Sequence, residues 1–447
     1  MNDAGATTAY AAYGAQLRQL TRDVTLRPRA EVETALNAAL DGEAADQLRD
    51  LVALSYRREV GAFFTGATIR GVLAPLLTRY GNPPYLDPAC GAGDLLLVAA
   101  ATLPIQPTID QTVRFWSELL AGVDIHPEFV DVARARLWLL AASMHSPTCS
   151  SGEDRPAKLG PQEFHGLHPG DGLQLLSALG SIGGTVVLNP PFGSQSAPLD
   201  CGWGSGLVPR AGVFVDHVSA RLTPGARLVA VLPDVLRSGR RLERWRAMVE
   251  SRLRVEHIDC VGRFDPHTNV DVFVMVGTRR NGTSADQPVA WWPSTAPEAE
   301  GTIGDRFEIR VGTVVDNRDA HEGSAQPFAV ARNLPLTGQV RSIERERLYA
   351  GRVFKPPFVL IRRTSAPSRT SARARGLLVS GNRSVAVDNH LLVLSPRDGA
   401  IDSCEELLDV LQSTYTTQWL DARIRCRHLT VGAVAAVPWR TSSSAPI

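Results

Sequence analysis

The tetrapeptide Asn189-Pro190-Pro191-Phe192 follows a short apolar segment, residues 185–188, that is typical of a buried strand. Two prolines end such a strand and fix a rigid, extended corner, because proline removes a backbone donor and restricts the residue before it. The corner can aim the side-chain oxygen of Asn189 and the carbonyl of Pro190 at one point. Two converging acceptors suit an exocyclic NH2 group, and Phe192 offers a face for stacking a planar base. The pattern predicts a site that turns the nitrogen lone pair of a planar amine toward an electrophile, although an ordinary turn has a similar composition.

A glycine-containing loop, DPACGAGD at residues 87–94, closes an earlier strand and opens a helix. Gly91 and Gly93 allow close approach of the backbone to a ligand, and the helix N-terminus offers free N–H groups. A phosphate loop is disfavoured because no Gly-Lys-Ser/Thr follows, and a dinucleotide-binding loop because Leu96 stands where its third glycine should be. An S-adenosylmethionine loop, with the Asp87 carboxylate near the methionine amine, and an ordinary strand–helix turn remain.

Acidic residues also follow the next two predicted strands. Asp124 in GVDI could accept hydrogen bonds from both hydroxyls of a ribose, and Asp171 in GDGL could reach an adenine amino group. Each of them alone also fits a helix cap or a turn. Three acids after three successive parallel strands lie at one edge of the sheet, where such sheets bind their ligands. The set therefore supports the S-adenosylmethionine interpretation more strongly than any member does.

Short apolar segments alternate with helical patterns along the first 280 residues. Candidate strands are residues 85–87, 119–124, 163–167, 185–188, 226–232, 254–261 and 270–278. Helical patterns are clearest at residues 31–58, 67–80, 127–142 and 240–252. The alternation predicts an α/β fold with a mostly parallel seven-stranded sheet covered on both faces. The last two strands are close enough in sequence to form an antiparallel hairpin at the sheet edge.

The chain has 447 residues, enough for two or three domains. Its 47 basic and 46 acidic residues give a net charge of +1, but residues 331–440 hold 17 basic and nine acidic residues. That region carries +8, so the rest of the chain carries −7. A polar, proline-rich stretch at residues 281–304 resembles a linker. We predict an N-terminal helical segment at residues 1–60, a catalytic domain at 61–280, this linker, and a basic α+β domain at 305–447.

The composition also disfavours several classes of protein. No uncharged apolar run reaches the roughly 18 residues of a membrane-spanning helix, and the first residues lack the features of a secretory signal. The six cysteines form no CxxC pair, so neither a zinc ribbon nor a disulfide scaffold is expected, and no metal site is predicted. A reducing cytoplasm is the expected compartment.

Taken together, DPACGAGD, GVDIHP, GDGL and VVLNPPF resemble the motifs of the amino-group DNA methyltransferases, in particular the adenine-N6 enzymes. Residues 61–66, GAFFTG, resemble motif X of that family, and their position before the glycine loop is the order of the gamma class. The resemblance implies a Rossmann-like domain that transfers the methyl group of S-adenosyl-L-methionine to a flipped-out adenine of DNA. It implies a catalytic tetrapeptide at Asn189, Pro190, Pro191 and Phe192. It also implies cofactor contacts from Phe64, Thr65, Asp87, Ala89, Gly91, Gly93, Asp124, Ile125, Asp171 and Gly172.

Two further segments are expected near the target base. Gly262-Arg263-Phe264 resembles motif VIII, whose aromatic ring takes the other face of the base, although Phe264 also fits a buried core position. Residues 193–210 are expected to form a loop beside the base pocket. In this loop Trp203 could act as a lid contact or as a loop anchor, and the sequence does not distinguish the two roles.

The C-terminal segments PFVLIRR, VAVDNH and HLTVGAVAAVPW are similar to the target-recognition domain of the TaqI-type enzymes, which grips DNA and sets its sequence specificity. Residues 352–383 carry eight basic residues and no acidic one. Arginine can bind phosphate or guanine through paired hydrogen bonds, although a solvated basic surface has the same composition. The candidates for contacts with double-stranded DNA are Arg362, Arg363, Arg369, Arg373 and Arg375.

Other substrates and a non-catalytic role remain alternatives. The same tetrapeptide chemistry serves enzymes that methylate RNA adenine, cytosine N4 or a glutamine amide, whereas cytosine-C5 chemistry is excluded because no cysteine follows a proline. A non-catalytic DNA-binding subunit would have a degenerate pocket, and the motif residues are all present. The family resemblance favours a restriction-modification or antiphage role, with the nuclease expected on a separate chain.

Overall fold

The computed structural model of the chain describes residues 8–61, 63, 65–145, 157–264, 270–282, 289, 291–292, 301–365, 372–424 and 428–440. The chain forms two compact units, Met1–Val289 and Ala290–Ile447. The predicted linker at residues 281–304 spans this division, and most of it lies outside the described residues. No helix within the described ranges is long and apolar enough to cross a membrane.

The boundary between the two units alters the distribution of charge. Residues 290–447 hold 20 basic and 16 acidic residues, so the second unit carries +4 and the first carries −3. The values of +8 and −7 given in the sequence analysis divide the chain differently: they were counted for residues 331–440 and for all other residues, respectively. Residues 298–322 add seven acidic and three basic residues to the second unit. The charge asymmetry keeps its sign but is smaller than the sequence pattern suggested.

The first unit is built around a seven-stranded sheet. The strands of this unit are β1 (Tyr85–Asp87), β2 (Leu120–Asp124), β3 (Leu167–Pro169), β4 (Thr185–Leu188), β5 (Ser194–Ser196), β6 (Leu207–Pro209), β7 (Arg227–Pro233), β8 (Leu253–Arg263) and β9 (Asp271–Arg279). Their order in the sheet is β3-β2-β1-β4-β7-β9-β8, and β5 and β6 form a separate hairpin. Pairing is parallel from β3 through β7, and β9 is antiparallel to both of its neighbours. The predicted α/β fold and its antiparallel edge hairpin are thereby confirmed.

The third strand differs from the prediction. It was expected at residues 163–167, but β3 begins at Leu167 because Pro161–Glu163 forms a short 3₁₀ turn. Proline cannot donate to a strand ladder and is well suited to open such a turn. The side chain of Phe164 is buried in the core, so its apolar character reflects packing and not membership of the strand.

Twelve helices within the described ranges surround this sheet. They are α1 (Thr8–Leu26), α2 (Arg29–Asp41), α3 (Glu43–Leu51), α4 (Leu54–Val60), α5 (Ala67–Tyr80), α6 (Asp94–Ala100), α7 (Ile109–Leu119), α8 (Pro127–Met144), α9 (Gly172–Ala178), α10 (Arg210–Arg221), α11 (Asp234–Ser238) and α12 (Glu243–Arg252). The segment predicted as one helical region at residues 31–58 is divided among α2, α3 and α4. The Tyr10 ring of α1 contacts the Phe129 ring of α8 edge to face at 5.1 Å, and the Tyr10 hydroxyl donates to the Ala44 carbonyl. The N-terminal helices therefore share one core with the sheet.

The second unit is an α+β arrangement. Its strands are β10 (Phe307–Val311), β11 (Ser324–Ala329), β12 (Gly338–Val340), β13 (Glu346–Tyr349), β14 (Phe358–Arg362), β15 (Gly376–Val379), β16 (Ala386–Val387) and β17 (Leu391–Pro396). Its helices are α13 (Ile303–Arg306), α14 (Ile401–Gln412), α15 (Thr414–Arg423) and α16 (Val431–Ala435). A five-stranded sheet, β10-β17-β14-β15-β12, lies between the helices and a second apolar cluster. A smaller sheet, β13-β11-β16, carries a third cluster.

Candidate active site

The carboxyl ends of the parallel strands bring the predicted site residues together, as expected of such a sheet. Asp87 and Asp124 end β1 and β2, Asp171 follows β3, and Asn189 follows β4. These ends border a cavity of about 290 Å³. It is lined by Gly61, Phe63, Pro88, Ala89, Gly91, Asp124, Ile125, His126, Phe129, Asp171, Gly172, Leu173, Asn189, Pro191, Gln195, Arg210 and Phe214. Phe64 lies outside the described residues.

Asp87 is fully buried behind the cavity wall. Its Oδ1 accepts a hydrogen bond from the backbone N–H of Ala89 at 3.0 Å. Burial raises the pKa of the Asp87 carboxyl to about 8, and the charges of Asp124 and Asp94 add to the rise. A buried carboxyl of this kind favours a nearby cation, because a positive charge stabilises its ionised form.

Asp124 is held by the backbone on both sides. Its Oδ2 accepts from the N–H of Gly91 at 3.0 Å, and its Oδ1 accepts from the N–H of His126 at 2.9 Å. Burial raises the pKa of this carboxyl, and the hydrogen bonds from the two N–H groups oppose the rise. The side chain therefore connects the glycine loop to the turn after β2.

The glycine loop adopts the conformation that its sequence requires. Gly93 precedes α6 with φ +83°, and a Cβ on it would lie 2.9 Å from the Cβ of Ala133. Asp94, the next residue, is buried and pairs with Arg136 of α8 at 2.9 Å. Arg136 is fully buried and also donates to the carbonyls of Ala39 and Ala92. This pair ties the loop to the N-terminal helices and was not predicted from the sequence.

The side chain of Asn189 is fixed by the segment that resembles motif X. Its Nδ2 donates to Thr65 Oγ1 at 3.0 Å and to the Phe63 carbonyl at 3.3 Å. The N–H of Thr65 donates in turn to Asp94 Oδ2 at 3.0 Å. A chain of polar contacts therefore runs from the buried Arg136 through Asp94 and Thr65 to Asn189.

The Asn189 Oδ1 atom is buried and accepts no hydrogen bond from any residue that the structure describes. The orientation of the amide is set by the Phe63 carbonyl, which can only accept, so the group facing it must be the NH2 of Asn189. A buried acceptor without a donor costs about 1–3 kcal/mol. The arrangement therefore leaves a buried, unsatisfied acceptor on a residue that lines the cavity, and its binding of an NH2 group stays a prediction.

Close packing brings the motif X segment against the tetrapeptide. Gly61 has φ +73°, and a Cβ on it would lie 2.6 Å from the Cβ of Pro191 and 2.9 Å from the carbonyl oxygen of Phe192. Only glycine fits this approach without displacement. The two segments lie far apart in the sequence, and their contact is what delivers the partners of Asn189.

Phe192 and Phe264 do not form the two walls of a base slot. Their rings touch edge to face, with centroids 5.1 Å apart and an angle of 82°, and both are almost fully buried. A base stacked between two parallel rings needs about 7 Å between the ring planes, so the direct contact leaves no room. The expectation for Phe264 is therefore corrected in favour of its core alternative: it packs against Phe192.

Trp203 acts as an anchor of the loop. Its ring is buried, and its Nε1 donates to Asp216 Oδ2 of α10 at 2.7 Å. Asp216 also pairs with Arg252 of α12. Of the two roles that the sequence left open, the structure favours the anchor, because the buried indole is not available as a lid.

Asp171 serves as the N-cap of α9. Its Oδ1 accepts from the N–H groups of Leu173 at 2.8 Å and Gln174 at 3.3 Å. The residue also lines the cavity beside Gly172. The capping geometry orients the carboxylate, and its contact with an adenine amino group stays a prediction.

Several cavity residues were not found from the sequence. His126 follows Ile125, and its Nε2 is buried without a partner among the described residues. Gln195 and Arg210 lie in the segment predicted as a loop at residues 193–210, and Phe214 lies in α10 directly after it. The sequence pattern around these three residues did not indicate that they line the cavity, because their position there depends on how the hairpin folds back.

The arginines predicted to bind DNA have different environments in the second unit. Arg375 is exposed, whereas Arg362 is half-buried and donates to the carbonyls of Ala331 and Leu334. Arg363 is also half-buried and donates to the Asn389 carbonyl. Arg369 lies outside the described residues.

Arg373 must be withdrawn from the DNA-contact candidates. Its side chain has no exposed surface and forms an ion pair with Asp421 at 3.0 Å. It also donates to the carbonyls of Ser365 and Ile424. The guanidinium joins the β14–β15 connection to the end of α15, which is a structural role.

The residues of the cavity fit S-adenosyl-L-methionine. Asp87 is buried beside the lining residues Pro88 and Ala89, and Asp124 is half-buried in the lining itself. Both carboxyls have raised pKa values, and a ligand with ammonium and sulfonium charges would favour their ionised forms. Ile125, Phe129 and Phe214 give the same cavity an apolar side suited to a purine ring. Asn189 also lines this cavity, and its unsatisfied oxygen is buried from solvent.

Comparisons with known proteins agree with this fold. No family model and no curated protein sequence matches the chain. Among solved structures, the type IIL restriction-modification enzyme MmeI in complex with DNA is similar with a TM-score of 0.55 and 13% identity, covering 88% of this chain and 70% of MmeI. The type IIG restriction endonuclease BpuSI gives a TM-score of 0.43 and 14% identity, covering 91% of this chain and 62% of BpuSI. A Listeria monocytogenes protein assigned to the class I S-adenosylmethionine-dependent methyltransferases gives 0.39 and 16%, covering 62% and 82%. The sheet order and the similarity to MmeI support the Rossmann-like methyltransferase fold.

Proposed function

We propose that this chain is an S-adenosyl-L-methionine-dependent methyltransferase that modifies the exocyclic N6 amine of adenine in double-stranded DNA. The observation that carries the proposal is the buried oxygen of Asn189, which lacks a donor among the described residues. Asn189 itself lines the cavity together with the strand-end carboxyls of Asp124 and Asp171. An NH2 group on a planar base supplies the missing donor. The gamma-class motif order supports the choice of adenine N6 among such amines.

The residues of the chain act mainly by positioning. Asn189 Oδ1 and the Pro190 carbonyl accept the two hydrogens of the amine, so its lone pair points out of the base plane. The ring of Phe192 is 8% exposed and packs against Phe264, so the plane of the base must be held by other residues of the cavity. S-adenosyl-L-methionine, when bound, supplies an electrophilic methyl group. Because the amine loses its proton after transfer, no strong general base is required at the site.

An adenine inside a duplex cannot reach a cavity in the sheet edge, so the proposed reaction requires extrusion of the nucleotide. Extrusion costs a few kcal/mol of unpairing and unstacking, and contacts with the duplex must offset that cost. The second unit carries the net positive charge, and its exposed Arg375 and half-exposed Arg362 and Arg363 are suited to phosphate or base contacts. We assign target recognition to this unit.

The biological role that we propose is restriction-modification or antiphage defence. Of the three solved structures described above, MmeI has the highest TM-score, and it is described as a restriction-modification enzyme in complex with DNA. We place any cognate nuclease on a separate chain, and copurification of the protein with its genomic neighbours tests this assignment.

The test of the activity is incubation of the chain with tritiated S-adenosyl-L-methionine and unmethylated duplex DNA, followed by nucleoside analysis. We expect label in N6-methyladenine. Asn189→Ala should lower the rate by about 100-fold or more, the usual effect of removing one preorganised hydrogen-bonding group. Asn37→Ala, which alters an exposed asparagine of α2, is the matched control and should leave the rate unchanged. Label found in N4-methylcytosine, RNA or protein would assign the same chemistry to one of the alternative substrates.

A further inference from the structure

The hairpin after the tetrapeptide separates two depressions of the first unit. Its base is closed by the N–H of Arg210, which donates to the Gly193 carbonyl at 3.0 Å. Because successive strand residues face opposite sides, Gln195 lines the active-site cavity whereas Ser194 lines a second groove of about 500 Å³. The hairpin is therefore a common wall of the cavity and the groove.

The connection between the two strands of the hairpin is ordered by its own contacts. The N–H of Ala197 donates to the Gly206 carbonyl at 2.8 Å, and the N–H of Cys201 donates to the Pro198 carbonyl at 3.0 Å. The buried Trp203, bonded to Asp216, fixes the far side of the loop. The tip is thus held in place even though its side chains point into solvent.

Large apolar side chains are exposed on this ordered hairpin. Leu199 at the tip is fully exposed and Leu207 on β6 is 72% exposed. Val235 of α11, on the opposite side of the groove, is 49% exposed. These side chains lose the stabilisation that burial would give them. An ordered hairpin that exposes apolar side chains is therefore a candidate surface for binding a partner.

The groove, which Leu207 and Val235 line, also offers positive charge. Arg241 and Arg244 line it, both are exposed, and neither has an ion-pair or hydrogen-bond partner in the described part of the chain. Glu243 lies between them in sequence and lines the same groove, so the local charge is one positive unit. An exposed apolar hairpin whose strand β6 shares a groove with unpaired arginines matches a duplex, because the faces of the bases are apolar and the backbone is anionic.

We infer that Leu199 is a wedge that enters the base stack of the duplex and fills the space left by the extruded adenine, while Arg241 and Arg244 hold the adjacent phosphates. The inference rests on the proposed function. It adds a DNA-binding surface on the first unit, close to the catalytic tetrapeptide, although that unit is negatively charged overall. Leucine is one of the side chains that proteins insert between base steps to unstack them.

The test compares two duplexes that carry the sequence methylated by the unaltered protein. In one the target adenine is paired with thymine, and in the other it faces an abasic site, so it is already unpaired. Leu199→Ala should lower kcat/KM on the paired duplex about 10-fold and on the abasic duplex less than 2-fold, because the wedge acts on extrusion. Leu26→Ala, which alters a 76% exposed leucine at the end of α1, is the matched control and should affect neither.

Each remaining outcome decides the inference. Equal losses on both duplexes, or no loss on either, would overturn the wedge and leave the methyltransferase proposal in place. Absence of methyl transfer to DNA by the unaltered protein would overturn the proposed function and the wedge together. For the arginines, Arg241→Ala/Arg244→Ala should reduce the slope of log affinity against log salt by about 0.9 for each phosphate that the two side chains neutralise. An unchanged slope would remove the phosphate contacts from the inference.

Discussion

At the scale of single residues, Asn189 and Asp87 define what the site can bind. The amide of Asn189 is locked by Thr65 and Phe63 with its oxygen directed away from them and unsatisfied among the described residues. The carboxyl of Asp87 is buried at the end of β1 with a pKa of about 8. One residue therefore offers an acceptor for an NH2 group, and the other favours a cation. Under the proposed function, Asn189 would face the target amine and Asp87 the cationic cofactor.

The raised pKa of Asp87 predicts a pH dependence of stability. The unfolded carboxyl titrates near 3.9, so between about pH 4 and 8 the folded chain binds more protons than the unfolded chain. The free energy of unfolding then falls as the pH rises through this range, because deprotonation is easier in the unfolded chain. Asp87→Asn removes this dependence. The thermal midpoint of the variant minus that of the unaltered protein should therefore increase from pH 5 to pH 8.

Thermal unfolding without cofactor at pH 5, 6, 7 and 8 measures this difference. Asp50→Asn, at an exposed position of α3, is the control and should follow the unaltered protein. If the difference in thermal midpoint between Asp87→Asn and the unaltered protein were the same at every pH, the Asp87 carboxyl would not be protonated in the folded chain over this range.

At the scale of elements, the hairpin of β5 and β6 depends on a contact with α10. Trp203 donates to Asp216, which is also paired with Arg252 of α12. Because Gln195 and Arg210 line the active-site cavity, the position of this hairpin shapes the space beside Asn189. Loosening the anchor should therefore affect the target more than the cofactor, whose predicted contacts come mainly from the ends of β1, β2 and β3.

Trp203→Phe retains the apolar ring and removes the indole N–H. We expect the affinity for S-adenosyl-L-methionine, measured by calorimetry, to change less than 2-fold while the methylation rate falls about 5- to 10-fold. That fall corresponds to the roughly 1–1.5 kcal/mol that one hydrogen bond contributes. Trp292→Phe in the second unit is the control and should leave the rate unchanged. A matching loss of cofactor affinity would show that the anchor supports the whole cavity and not the hairpin alone.

At the scale of the whole molecule, the division at residue 289 separates cofactor chemistry from most of the candidate DNA contacts. The fragment of residues 1–289 contains the complete seven-stranded sheet and the helices that cover it. We expect this fragment to bind S-adenosyl-L-methionine with near-native affinity and its methylation of duplex DNA to fall at least about 100-fold, because it lacks the recognition contacts.

Calorimetry of the fragment and methylation of plasmid DNA provide the two readouts. In the full chain, Arg375→Ala should weaken duplex binding, whereas Arg332→Ala, at another exposed arginine of the second unit, tests whether any loss of positive charge has the same effect. Full methylation by the fragment would contradict the assignment of target recognition to the second unit.

The sequence by itself determined the fold class and the ends of the strands on which the site is built. Alternation of short apolar segments with amphipathic helices requires a parallel sheet, and strand-end polar residues then gather at one edge because parallel strands share their direction. Asp87, Asp124 and Asn189 could be located in this way, since each depends only on its own strand. The contribution of Asp94 was not foreseen.

Only the tertiary structure decided which residues touch across long distances in the chain. The contact of Thr65 with Asn189, the burial of Arg136 and Arg373, and the packing of Phe264 against Phe192 all join segments whose separation is set by packing and not by local pattern. An arginine has the same sequence signature whether it is exposed or buried with an aspartate. Its role depends on what surrounds it, and the surroundings exist only once the chain has folded.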